Sequence, residues 1–439
     1  TDAARNVLGA EARILTDLRW LGREWDEGPD VGGPRGPYRQ SERGPRHRET
    51  LSELLRSGAA YRCFCTPEAL AADRDAARRA RRPPRYAGTC AGLASAAAAR
   101  RAAAGEPFAI RLRRTPGPVR FTDLVRGELA EDPADLDDFV LARADGAALY
   151  HLATVVDDHD MGITHVVRSR DHLSNTARHI LLAGALGWTP PAYGHLALVA
   201  ETDGRKRSKR HGGAELAELR AAGHLPEAVV NHLALLGWHP GEESPDGVLT
   251  PPELVARFSL DRCSTADGGA DPARLRSLGV RHVARMPGDE LVRRTLAWVE
   301  AGDPAAAVRA GAEEWVPRAV TASREGAHTL AEVWEPVASL LGESAAAEEY
   351  GATAEERAKA VQALEQAVEV LEARPSWSGE AVHEALPREV LRPVRLAVTG
   401  RRSGPPLHGL RGARGRAATV ARLCGASGRL PGEDWQGWT

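Results

Sequence analysis

Of the 58 basic residues in this 439-residue chain only three are lysine, Lys206, Lys209 and Lys359. Two of them stand close together in one Gly-bounded loop, Gly204-Arg205-Lys206-Arg207-Ser208-Lys209-Arg210-His211-Gly212. Arginine is a planar five-donor fork, whereas lysine is a compact charge on a flexible stem that can follow a phosphate as it moves. A loop that keeps lysine in so arginine-biased a chain is suited to handling a transferring phosphate. By spacing alone, a solvated basic turn accounts for it equally well.

Sulfur supplies the second constellation. Cys63-Phe64-Cys65 is followed at a distance by Cys90, with Tyr86 shortly before it. A close Cys-x-Cys pair plus a distant third thiolate can start a tetrahedral structural metal site. Three ordinary thiols are the other reading. Asp157, Asp158, His159 and Asp160 also crowd together, but four adjacent residues cannot all converge on one ion, so no dedicated metal site is expected there. Cys263 and Cys424 stand alone and read as structural.

The elements that must position these groups follow from periodicity. Ile14, Leu15, Leu18 and Leu21 recur at helical spacing, and the Gly/Pro-dense stretch from Gly28 to Pro37 breaks the pattern. A second helix is expected from Arg46 to Ser57, stopped by Gly58. Short strands are expected at Phe108 to Leu112 and Asp138 to Leu141. Two buried strands, Tyr150 to Val156 and Ile163 to Val167, should follow, then a helix from Thr176 to Leu186 ending at Gly187. The last third is Ala/Glu/Leu-rich and helical. There Thr353 and Glu356 form a capping box, and Val361, Leu364, Val368 and Leu371 keep one apolar stripe.

The length leaves room for two to four domains, and no apolar run of about 18 residues is present to cross a membrane. A net charge of -2 does not advertise a nucleic-acid binder. The arginines are nevertheless clustered, at Arg74, Arg78, Arg79, Arg81, Arg82 and Arg85, and again at Arg401, Arg402, Arg411, Arg414 and Arg416. Clusters, more than net charge, make a phosphate-backbone footprint. Five cysteines do not read as a disulfide framework, so a reducing, cytoplasmic setting is expected.

Lys206-Arg207-Ser208-Lys209-Arg210 resembles the Lys-Met-Ser-Lys-Ser loop of class I aminoacyl-tRNA synthetases. The flanks are similar to bacterial glutamyl-tRNA synthetases. These are Gly36-Pro37-Tyr38-Arg39-Gln40-Ser41-Glu42-Arg43, Tyr150-His151-Leu152-Ala153 through Val156-Asp157-Asp158-His159 to Val167-Arg168, Leu225-Pro226-Glu227-Ala228, and Arg392-Pro393-Val394-Arg395 to Gly400. The resemblance covers nearly the whole chain. It implies an α/β class I synthetase, with a Rossmann-type catalytic domain carrying an inserted α+β domain, followed by an all-α anticodon-binding region. Residues 1–61 would be the rest of the first catalytic half and 62–148 the insert that holds the acceptor end. The second catalytic half would be 149–213, the stem-contact helices 214–285 and the anticodon domain 286–439.

The resemblance also implies roles. Lys209 would bind ATP, supported by Lys206 and Ser208, with Mg²⁺ accompanying the nucleotide. Tyr150 and Arg168 would bind L-glutamate. Cys63, Cys65 and Cys90 resemble the zinc site of some members; Gly92 stands where a histidine often closes that site, leaving Tyr86 or water as fourth ligand. The partner would be tRNA(Glu), with tRNA(Gln) open as a second, and the protein a monomer. Three departures are visible. Arg207 replaces an apolar residue, Ser169-Arg170-Asp171 turns one of two usual carboxylates into a cation, and Arg274 to Leu278 lacks the usual Trp-Leu-Asn pattern. The chain opens at Thr1-Asp2, which resembles the end of a turn that follows the first ATP motif. On that reading roughly 40 residues, one strand–helix–strand unit, precede it in the family, and the chain as written is expected not to form an adenylate. Two other readings are a non-catalytic tRNA-binding paralogue and a ligase charging a different carrier.

Overall fold

The computed structural model describes residues 7–81, 85–115, 117–132, 136–200, 216–241, 247–269, 271–341, 354–373, 386–399 and 416–427. The chain divides into two compact units, one of residues 1–206, 236–240 and 257–270, the other of residues 207–235, 241–256 and 271–439.

The first unit opens with α1 (Ala10–Trp20) and α2 (Gly44–Ser57). Helix α2 carries Pro45 in its first turn and stops at Gly58, whose φ of +76° is the left-handed conformation that glycine adopts without steric penalty. Then come β1 (Ala60–Cys63), α3 (Pro67–Arg79), α4 (Ser95–Ala103), β2 (Ala109–Leu112), β3 (Val119–Asp123), β4 (Gly127–Glu131) and β5 (Val140–Ala142). The Thr66 hydroxyl caps α3 by accepting from the Ala69 N–H at 3.2 Å, worth about 1 kcal/mol. After α5 (Tyr150–Asp160) follow β6 (His165–Ser169), α6 (Leu173–Ala185), β7 (Ala192–Leu196), β8 (Val199–Ala200) and, far along the chain, β9 (Gly268–Gly269).

Two sheets organise this unit. Strands β1, β2 and β5 form an antiparallel sheet whose Ile110, Leu112 and Leu141 share one core with Leu51 and Leu54 of α2, Leu152 and Val156 of α5, and Leu182 of α6. The other sheet has the order β4-β3-β7-β6. In it β6 and β7 run parallel, in register from His165 against Ala192 to Ser169 against Leu196, and β3 joins parallel to β7 at Asp123 and Tyr193. Ligand sites of open α/β sheets lie beyond the carboxyl ends of parallel strands. Arg168 and His195 sit at that end.

Residues 150–156 form the first two turns of α5, not the expected strand. The buried set Leu152, Ala153, Val155 and Val156 is spaced i, i+1, i+3, i+4, which is a helical face. A strand would have turned alternate members of that set away from the core. Strand β6 begins at His165, two residues later than expected, because Gly162 (φ +68°) is still turning the chain out of α5. The strands expected at 108–112 and 138–141 appear as β2 and β5. Asp138 stays outside β5 and accepts from the Tyr61 hydroxyl at 2.5 Å. The helix expected at 176–186 appears as α6, ahead of Gly187 at φ +73°.

The second unit is helical. It comprises α7 (Leu216–Ala221), α8 (Pro226–Ala234), α9 (Pro251–Arg257), α10 (Pro272–Arg285), α11 (Gly288–Gly302), α12 (Pro304–Gly311), α13 (Val316–Ala322), α14 (Leu330–Leu341), α15 (Ala354–Glu372), α16 (Leu391–Thr399) and α17 (Arg416–Ser427). One core runs through Val283, Leu291, Val320, Val337, Leu364 and Val394. On α15, Leu364, Val368 and Leu371 are buried and Val361 is half-buried, so the expected stripe faces that core. Thr353 of the expected capping box lies outside the described residues. Among the described residues no helix is long and apolar enough to cross a membrane.

Candidate active site

At the carboxyl end of β6, Arg168 is held on three sides. Its Nη2 donates to the Thr176 hydroxyl at 2.8 Å and to the His172 carbonyl at 3.3 Å, and its Nε points at His195 Nε2 at 3.3 Å. The guanidinium also lies 5.5 Å from the Tyr193 ring centroid, a cation–π distance. What remains is Nη1, 3.5 Å from the hydroxyl of Tyr150, the first residue of α5. The two residues singled out as substrate ligands therefore meet, although they come from different elements. Tyr150 is 38 % exposed.

The supports of Arg168 are buried. His195 Nδ1 is 2.5 Å from Asp123 Oδ2, and Asp123 Oδ1 accepts from the backbone N–H of Val125, Arg126 and His195 at 3.0, 2.9 and 3.2 Å. Burial works to raise the Asp123 carboxyl, but His195 and those N–H groups win and hold it below the usual carboxylate range. Burial lowers His195, outweighing the pull of Asp123, and so keeps the imidazole neutral. Behind Tyr150, His151 and His179 are packed ring against ring at 5.3 Å. Burial is the main cause that lowers them to about 4 and about 3, with Arg178 and Arg168 adding to it for both.

A second network lies under α5. Asp157 Oδ1 takes Arg43 Nε at 2.6 Å and His47 Nε2 at 2.8 Å, while Gln40 donates to Oδ2 at 2.9 Å. Arg43 Nη2 reaches Asp160 at 2.6 Å, and Arg46 Nε reaches the same carboxylate at 3.0 Å. His159 stacks on Trp188 with centroids 3.8 Å apart. Asp157 and Asp160 thus converge on the Arg43 guanidinium as a salt-bridge platform, while His159 turns to Trp188.

The three cysteines do converge, with ligand atoms all within 4.8 Å of one another. Cys65 and Cys90 are 3.6 Å apart at sulfur, and the Tyr86 hydroxyl lies 3.3 Å from Cys63 Sγ and 3.7 Å from Cys65 Sγ. Zinc–sulfur and zinc–oxygen bonds of about 2.3 and 2.0 Å in a tetrahedron place ligand atoms about 3.5–3.8 Å apart, and the Cys65–Cys90, Tyr86–Cys63 and Tyr86–Cys65 separations are of that order. Burial works to raise the Cys63 thiol, yet Tyr86, the Cys65 backbone and Arg111 together bring it below the ordinary value. The Arg111 guanidinium lies 3.8 Å from the Tyr86 ring centroid.

The family described as tRNA synthetases class I (E and Q), catalytic domain, matches residues 1–266, and the Anticodon binding domain matches residues 290–426. The glutamate–tRNA ligase of Desulforudis audaxviator is 38% identical over 438 residues, which is 96% of this chain and 87% of that protein. This chain belongs to the glutamate–tRNA ligase family. The ligase of Acidothermus cellulolyticus is 37% identical over 96% of this chain and 86% of its own length. A crystal structure of a glutamate tRNA ligase from Elizabethkingia meningosepticum, in complex with its amino acid, superposes with a TM-score of 0.79 at 25% identity, covering 98% of this chain and 91% of that one.

Membership in the glutamate–tRNA ligase family agrees with the α/β class I catalytic fold and the helical anticodon region expected from sequence. It implies ATP with Mg²⁺ in general terms. Lys206, Ser208 and Lys209 lie outside the described residues, as do Arg207, Arg82, Arg401, Arg402, Arg411 and Arg414. Arg170, a cation where the resemblance led a carboxylate to be expected, grips Asp267 through Nε at 2.9 Å and Nη2 at 2.5 Å. Asp267 also accepts from the Leu198 N–H at 3.0 Å, tying β6 to the start of the β8–β9 ladder. The local charge is therefore balanced. Sequence reasoning did not single out Asp123, Thr176 or His195. Nothing in their spacing marks them, because they meet only once β3 has paired with β7.

Proposed function

We propose that the chain, as a glutamate–tRNA ligase, receives a carboxylate of L-glutamate on Arg168 Nη1 and the Tyr150 hydroxyl. The carrying observation is that these groups meet 3.5 Å apart at the carboxyl end of β6 while every other nitrogen of Arg168 is directed at the protein. Lys209 would stabilise the charge that builds on the α-phosphate and pyrophosphate as glutamate attacks ATP, with Lys206 and Ser208 in support. A mobile ammonium that meets this charge lowers the transition state more than the ground state. The glutamyl group would then be esterified to the terminal adenosine of tRNA(Glu). A monomeric state and the domain ranges 1–61, 62–148, 149–213, 214–285 and 286–439 belong to the same reading, with tRNA(Gln) left open as a second partner.

Cys63, Cys65, Cys90 and Tyr86 would hold one structural zinc, supported by the ligand spacing. Bound there, the ion cross-links β1 to the segment that follows α3. The exposed Arg74, Arg78, Arg79 and Arg81 of that region would meet the tRNA backbone. Replacing Arg168 by Ala and Tyr150 by Phe in charging-competent protein, and following tRNA charging against glutamate concentration, tests the assignment. A glutamate KM raised about tenfold or more for Arg168→Ala, with the ATP KM within about twofold, is expected from the loss of a charge-assisted contact. Unchanged glutamate KM in both variants overturns it.

A further inference from the structure

The side-on edge of a guanidinium, Nε with Nη2, is the edge that grips a carboxylate with two parallel bonds. In Arg168 that edge is occupied. Nε faces His195 Nε2, and Nη2 faces the Thr176 hydroxyl and the His172 carbonyl. Among the contacts of the described residues, Nη1 is the nitrogen left for a substrate. A long arginine side chain keeps considerable rotamer freedom unless its donors are bound. The protein therefore fixes the orientation of this cation by using up its fork.

Whether His195 can accept depends on its tautomer. A neutral imidazole has one N–H donor and one bare acceptor nitrogen. Asp123 lies against Nδ1, and its ionised carboxylate can only accept, so the ring proton sits on Nδ1 and Nε2 is bare. The bare nitrogen is shared by Arg168 Nε at 3.3 Å and the Thr176 hydroxyl at 3.1 Å. Both supports are shut off from water, His195 at 0% and Asp123 at 2% exposure. A buried carboxylate-to-imidazole pair that touches no substrate is a costly thing for a fold to keep without a partner for it to orient.

We propose that Asp123 and His195 are positioning residues for glutamate capture: the carboxylate sets the imidazole tautomer, and the imidazole holds Arg168 Nε so that Nη1 is presented beside Tyr150. The inference rests on the reading of Arg168 as the glutamate-binding residue. It predicts that a change of one proton, far from any substrate contact, weakens glutamate binding without disturbing the nucleotide.

Asp123→Asn makes that change at constant volume. Three backbone N–H groups require an acceptor at the Oδ1 position, so the amide NH₂ must take the Oδ2 position. There it donates to His195 Nδ1, drives the ring proton to Nε2, and turns a donor toward Arg168. The full chain carrying Asp123→Asn should show the Nε2–H imidazole tautomer by ¹⁵N NMR, against Nδ1–H in the parent, and should lose the protected Arg168 Nε–H resonance. Its glutamate KM in tRNA charging should rise about tenfold, the factor for one lost charge-assisted contact, with the ATP KM unchanged. His195→Gln, whose side-chain oxygen falls near Nε2, should keep the parental glutamate KM, whereas His195→Phe should lose it. That pair covers the case in which Asp123→Asn fails to fold.

An Nε2–H tautomer in the parent chain, or an Arg168 Nε–H resonance unaltered by His195→Phe, overturns the inference whether or not charging is measurable. A glutamate KM that responds to Arg168→Ala but not to Asp123→Asn or His195→Phe overturns it while leaving Arg168 as the ligand. No response to Arg168→Ala removes the underlying reading instead, and the two NMR outcomes then decide the positioning claim alone.

Discussion

Arg43 and Asp157, 114 residues apart in sequence, share a 2.6 Å ion pair with the arginine side chain only 5% exposed. The pair joins the Gly-Pro-Tyr-Arg-Gln-Ser-Glu-Arg segment to α5, two stretches whose likeness to the family was legible separately. Removing one partner of a buried pair strands the other charge, at a cost of about 3–5 kcal/mol. Arg43→Met should therefore lower the unfolding free energy by that order in denaturant titration. A loss below about 1 kcal/mol would show that the pair is not holding α5 in place.

Gly162 should tolerate no side chain cheaply. Its φ is +68°, and an added Cβ would fall 1.5 Å from Arg35 Nη1, which now donates to the Met161 carbonyl at 2.8 Å. The arginine tip can swing away, so the backbone term dominates. Gly162→Ala is expected to destabilise by about 1–2 kcal/mol, measured as a shift of the urea midpoint at constant slope.

For the thiol cluster, metal analysis of the purified chain should find about one equivalent of zinc. Cys65→Ser or Cys90→Ser should abolish it. Less than about a tenth of an equivalent in the parent chain would retire the site.

Acid should weaken the first unit through His151 and His179. Their values in the folded chain, about 4 and about 3, lie below the ordinary 6.5, so between these limits the unfolded chain binds more protons than the folded one. Stability therefore rises with pH through that window and is level above it. His179→Phe should shrink the drop in Tm between pH 7 and pH 5 relative to the parent; an unchanged drop would place the acid sensitivity elsewhere.

In charging-competent protein, substituting Lys209 by Ala should reduce tRNA charging on the order of a hundredfold or more, the scale of one lost transition-state donor. A charging rate equal to that of the parent chain would take the lysine loop out of the mechanism.

The sequence carried the family through local signatures, and these also marked Tyr150, Arg168 and the cysteine triad. Periodicity placed α2, α6 and the stripe of α15, where glycine stops and apolar spacing act within a few residues. It failed at 150–156. There β-branched Thr154, Val155 and Val156 suggested a strand, whereas the apolar set at 152, 153, 155 and 156 follows the helical period, and Asp157 on the same helix is held by Gln40, Arg43 and His47 more than a hundred residues earlier. Asp123 and His195 were illegible for a related reason, since their partnership depends on a parallel pairing of distant strands. No finding from the fold or the comparisons favours the non-catalytic paralogue or the ligase for another carrier.

The bidentate grip of Arg170 on Asp267 bears on how this lineage is compared with its relatives. Taken by itself, Arg170 reads as the loss of a carboxylate. Surveyed with position 267, the same patch is neutral, and Asp267 also serves the Leu198 amide. Placing an acid at 170 with Asp267 unchanged would set two carboxylates against each other, so the effect of a substitution at one position depends on the residue at the other. A substitution at either position is therefore to be read together with the residue at the other, as one pair and not as two separate departures.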